Sequence, residues 1–111
     1  MSSNAFSPQP TNSACLSVTS TSTSTPIQVK GALNNATQRM FANDGTKTCW
    51  VAWSAASTVT AVVPTAGSPA NGICIPAGAI VVLGIPPNAY IAAICAGSDT
   101  TTLYITPGEG N

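Results

Sequence analysis

The chain has 111 residues with three basic and three acidic side chains, no histidine and a formal net charge of zero. Only 5% of it is charged, against roughly 25% in an average soluble domain. Three cations, Lys30, Arg39 and Lys47, are too few to neutralise a phosphate track, which argues against a nucleic-acid partner.

Residues 1–12 are polar and include Pro8 and Pro10, which predicts an extended N-terminal arm ahead of a single domain over 13–111. The arm has no basic stretch followed by an apolar one, so a secretory signal is not expected and synthesis in the cytoplasm is. "ACLSVTS" (14–20) alternates, with Ala14, Leu16 and Val18 on one face. The Ser/Thr repeat at 20–26 reads as strand running into a loop that Pro26 ends. "IQVKGAL" (27–33) alternates again. "TQRMFAN" (37–43) and "KTCWVAWS" (47–54) flank Asp44-Gly45, a hairpin signal. "TVTAVV" (58–63) predicts a strand with Val59, Ala61 and Val63 inward.

From Thr48 to Ser98 there is no charged residue. A membrane-spanning helix needs about 20 consecutive apolar residues. Pro76 and Pro86-Pro87 divide the most apolar part of the run into pieces far shorter than that. The pieces read as strands instead: "GICI" (72–75) and "AIVVLGI" (79–85) around a Pro76-Ala77-Gly78 turn, then "AYIAAIC" (89–95) and "TTLYIT" (101–106) around Gly97-Ser98-Asp99. About nine short strands and no helical period predict an all-β sandwich or barrel. "IVVL" does not alternate, so its strand is expected to be apolar on both faces. One face would lie in the core and the other under a covering protein surface.

No catalytic constellation is visible. Without histidine the commonest general base and metal ligand are missing. Asp44, Asp99 and Glu109 lie in two turns and a tail, where Asp is favoured for local hydrogen bonding. No enzyme, cofactor or metal is expected. Cys15, Cys49, Cys74 and Cys95 include no C-x-x-C pair and each falls in a predicted strand. The reading is four buried free thiols, with disulfides across the sheets as the alternative that an even count permits. Trp50 and Trp53 point to opposite faces of one strand. Trp53 is assigned to the core with Cys49 and Val51. Trp50 is either an exposed anchor or covered by a loop or by the arm of its own chain.

The segments "CWVAWSAASTVTAVVPTAGSPANGICIPAGAIVVLGIP" and "YIAAICAGSDTTTLYITPGEGN" resemble small virion proteins of tailed bacteriophages. The shared features are an aromatic-bearing strand, a "VTA" strand, a "PAG" turn, an "IAAI" strand and a "TPGEG"-like tail, over roughly residues 27–111. The resemblance implies a two-sheet, jelly-roll-like β-sandwich of eight to nine strands serving as a capsid cement or decoration protein. It would bind the outer surface of the major capsid protein shell and itself, as a dimer or trimer. The alternative it leaves open is a minor head or tail component, or a fibre-associated binding module. Neither a membrane nor nucleic acid enters. The candidate interface residues are Phe6, Pro8 and Pro10 in the arm, with Trp50, Val82 and Tyr90 in the domain. A cupin-like enzyme is disfavoured, since that metal site is built mainly from imidazoles.

Overall fold

In a computed structural model the chain is described over residues 6–21, 26–29 and 36–109. The described residues form nine strands and no α-helix: β1 Ser7–Pro8, β2 Ala14–Val18, β3 Ile27–Gln28, β4 Gln38–Asn43, β5 Cys49–Ser54, β6 Ile73–Ile75, β7 Ile80–Gly84, β8 Tyr90–Cys95 and β9 Thr101–Glu109. A short 3₁₀ turn covers Pro10–Asn12. No helix among them is long and apolar enough to cross a membrane.

Two antiparallel sheets stack as a β-sandwich. In the first, β1 and β2 share one edge of the long β9, then come β4 and β7. In the second the order is β3-β8-β5-β6. Successive strands from β2 onward change sheet at every step except β5 to β6. Period-two alternation explains the core. Val18, Phe41, Leu103 and Ile105 from the first sheet meet Cys49, Val51, Ile75, Ile91, Ala93 and Cys95 from the second, all buried. Ala14 and Leu16 pack against this core on the predicted inner face of β2, and Trp53 packs against it from β5.

Two predicted elements differ in kind. Asp44-Gly45 does not close a hairpin: β4 already has β7 on one edge and β9 on the other, so the chain must leave for the opposite sheet. Gly45 is required there by closeness, not by backbone angle. A Cβ on it would collide with the Thr101 hydroxyl. "TVTAVV" is not a strand of either sheet. Val59 and Ala61 are buried nonetheless, in a second apolar cluster with Ala52 and Ala92 on the outer face of the second sheet, flanked by Tyr90 and Ile94. The alternation there records packing onto a sheet face rather than membership of a ladder. The segment is held by Val62 N–H donating to Asn71 O at 3.0 Å and by Asn71 Nδ2 donating to Thr60 O at 3.1 Å.

The two ends of β4 each carry an inward polar side chain. The buried Arg39 guanidinium donates to the carbonyls of Ala36, Gln38, Pro86 and Pro87, at 2.9 to 3.5 Å. At the other end Asn43 donates to Lys47 O at 2.9 Å and Ile75 O at 3.0 Å, and accepts from Gly45 N–H and from the Thr101 hydroxyl. One strand thus ties the sheet-crossing turns at both ends of the sandwich, with Phe41 in the core between them.

Residues 6–12 of the predicted arm are seated on the chain's own domain. Ser7 and Pro8 pair with Glu109 and Gly108, Gln9 N–H donates to Pro107 O at 2.8 Å, and the Phe6 ring occupies the place a Cβ on Gly108 would need. Residues 1–5 of the arm, 22–25 of the Ser/Thr repeat and 30–33 of the predicted third strand lie outside the described residues.

Candidate interaction surface

The two sheets treat their outer faces differently. The second sheet is covered by its own 55–72 segment through Val59 and Ala61. The first sheet has no such cover among the described residues. Its outer face is formed by the residues that alternate with the core positions. One row runs Ile80, Ala42, Tyr104 and Cys15 across β7, β4, β9 and β2. A second runs Val82, Met40 and Thr106. None of these side chains is charged. Ile80 is 67% exposed, Tyr104 44% and Val82 41%.

Asp44 stands at the rim of this face. The Tyr104 phenol is held above its ordinary pKa, first by its electrostatic interaction with Cys15, then by desolvation and by Asp44. An uncharged row of large apolar side chains on a flat sheet can exclude water against a partner.

The six residues singled out from the sequence do not converge. Phe6, Pro8 and Pro10 lie along the far end of β9, with Phe6 half-buried on Gly108 and the two prolines exposed. Val82 is on the opposite edge of the first sheet. Trp50 and Tyr90 are half-buried on the outer side of the second sheet. Tyr90 packs on the Val59 cluster, and Trp50 lies beneath Gly72, where a Cβ would come within 3.2 Å of the Trp50 Cβ. Trp50 is thus partly covered by a loop of its own chain. Ile80, Met40 and Tyr104 were not singled out. Their signal was the alternation of "QRMFAN" and "TTLYIT", which puts Met40 and Tyr104 opposite the core residues Phe41, Leu103 and Ile105.

Trp53, assigned to the core, is half-buried and also lines two open grooves. One of about 320 Å³ is shared with Asn71, Gly72 and Ile73. The other, about 230 Å³, is shared with Ser54, Pro86, Pro87 and Asn88.

The cysteines divide in two. Cys49 and Cys95 are buried free thiols, directly opposite one another on β5 and β8. Burial, then the neighbouring Cys95 and Cys74, push the Cys49 thiol up to about 12. Burial and Asp99 raise Cys95. Cys15 and Cys74 are exposed, which corrects the expectation of four buried thiols: Cys15 alternates with the inward Ala14, Leu16 and Val18, and Cys74 alternates with the inward Ile75, so both point outward. No group of three or more His, Cys, Asp or Glu among the described residues is arranged to hold a metal ion. Comparison with protein-family models, with curated proteins and with solved structures yields no match.

Proposed function

We propose that this chain is a structural virion protein of a tailed bacteriophage, a capsid cement or decoration protein bound to the outside of the major capsid protein shell. The observation that carries the reading is the uncharged outer face of the first sheet, with Ile80, Val82 and Tyr104 exposed on it. A surface this poor in charge does little to keep copies apart in solution and suits burial against protein. The strand order supports a jelly-roll winding: β2-β9-β4-β7 facing β3-β8-β5-β6 fits a pair of interlocked Greek keys. The sequence phrases shared with small phage virion proteins supply the particle.

On a shell the same small contact recurs at every symmetry-related position. Modest individual affinity then suffices, because each bound copy bridging neighbouring capsomers adds to the others. The partners in this reading are the major capsid protein and other copies of the chain. The site of action is the virion surface, after synthesis in the host cytoplasm. Purified virions should contain the protein in many copies, and a map of the particle should show the first sheet facing the shell. Virions that lack the protein would sink the reading.

A fibre-associated binding module is the second reading, favoured by the Trp53 grooves, where an indole is flanked by Asn71 and Asn88. An aromatic platform with amides beside it suits a sugar ring, and a glycan array without a binder would remove that option.

A further inference from the structure

The open edge of the first sheet has a backbone pattern that selects its own copy. Among the described strands β7 ends the sheet, with β4 as its neighbour. The register is unbroken from Gln38 opposite Gly84 to Ala42 opposite Ile80. Just outside the strand, Asn43 N–H donates to Ala79 O and Ile85 N–H to Thr37 O, each at 3.0 Å. In an antiparallel pair the residues that bond to a given neighbour alternate. The odd residues 79, 81, 83 and 85 therefore bond β4. Asp44 N–H donating to Thr102 O agrees, since it turns the even residues of β4 toward β9. It follows that Ile80, Val82 and Gly84 aim their N–H and C=O groups away from the sheet.

Among the described residues no segment covers this edge. Residues 80–84 contain no proline and no charge, and their own register shows no bulge; the bulge that Gly78 and Ala79 form opposite Asn43 lies just before the strand. We infer that β7 pairs antiparallel with β7 of a second copy about a twofold axis at Val82, joining two first sheets into one continuous sheet. In this register Val82 faces Val82, and Ile80 faces Gly84 in both directions. All three pairs are formed by residues whose backbone groups are open, so each exchanges two hydrogen bonds. The side chains fit as well. Ile80, the most exposed large hydrophobic, meets Gly84, above which a Cβ would find nothing within 4 Å. A patch without charge can face itself with no like-charge penalty, which a self-pairing interface requires. The pairing holds whether or not the chain sits on a virion. If it does, the dimer doubles the width of the uncharged face.

Amide exchange followed by NMR on the wild-type chain, at concentrations spanning the monomer–dimer transition, tests this. The amides of Ile80, Val82 and Gly84 should exchange freely when dilute and become protected when concentrated. Those of Val81 and Leu83 should be protected throughout. Sedimentation should give twice the 11.1 kDa chain mass. Val82→Lys and Val82→Glu should each weaken self-association by about ten-fold or more, through like charges placed directly opposite, and an equimolar mixture of the two should restore it. A wild-type chain that stays monomeric at millimolar concentration would overturn the proposal. So would concentration-dependent protection that spares the three even-numbered amides, or a dimer indifferent to both charged variants.

Discussion

The Thr101 hydroxyl donates to the side-chain oxygen of Asn43 at 2.6 Å inside the sandwich, linking the first residue of β9 to the last of β4. Asn43 is saturated: its amide nitrogen donates to Lys47 O and Ile75 O, and its oxygen accepts from Gly45 N–H as well. Four parts of the chain meet on one amide. Asn43→Asp keeps the two acceptor contacts but loses both donors and buries a charge. We expect Asn43→Asp and Asn43→Ala to cost about 3 kcal/mol each and Thr101→Val about 1 to 2 kcal/mol, read as shifts in denaturant midpoint.

Gly45 belongs to the same corner. A Cβ there overlaps the Thr101 side chain. Gly45→Ala should destabilise by about 2 kcal/mol. Combined with Thr101→Ala, the two losses should fall short of their sum, because the hydroxyl that clashes is gone. Additive losses in a double-mutant cycle would show that the contact is not the cause.

At the other end of β4, Arg39 is a buried cation whose guanidinium donates to backbone carbonyls. Desolvation lowers its pKa from the ordinary guanidinium value. Lysine has no planar fork and cannot reach four carbonyls at once. Arg39→Lys should cost about 2 kcal/mol, and Arg39→Met about 3 kcal/mol by leaving the carbonyls without donors. Equilibrium unfolding of both variants checks the order.

Thiol reactivity should separate the cysteines two and two. Cys15 and Cys74 are exposed and should alkylate in the native protein; Cys49 and Cys95 should label only after unfolding. Peptide mass spectrometry after a short iodoacetamide pulse reads this directly. Native labelling of Cys49 would contradict its place in the core.

Alkaline pH should destabilise the fold. The Cys49 thiol rises from 9.0 to about 12 on burial. Between those values the unfolded chain has released the proton and the folded chain still holds it, so the unfolded state gains with rising pH. The stability from this group is complete below about pH 9 and is lost as pH climbs toward 12. Denaturant midpoints should fall over that window, and Cys49→Ala should flatten the slope while lowering the plateau.

Much of the fold was legible because burial on one face leaves a period of two. Ala14, Leu16 and Val18 and the strands around Phe41, Val51 and Leu103 announce their faces this way, whereas "IVVL" does not alternate and announces none. The same signal misled at Val59 and Ala61, since alternation reports a buried face and is silent on whether the backbone joins a ladder. It also could not show that Asp44-Gly45 crosses between sheets. That depends on both edges of β4 being occupied by β7 and β9, strands far away in sequence.

The sequence by itself determined the class of protein: all-β, poor in charge, without imidazole chemistry, too interrupted by proline for a membrane helix. Those conclusions rest on composition and local pattern, which each residue carries with it. Only the tertiary structure decided which apolar positions stay uncovered. Val59 and Ala61 are buried because their segment folds back over the second sheet. Ile80, Val82 and Tyr104 are exposed because no described segment returns over the first. Which backbone groups of β7 point outward is likewise a matter of register with β4. Exposure and open hydrogen bonds are properties of what lies alongside, and long-range pairing alone sets that.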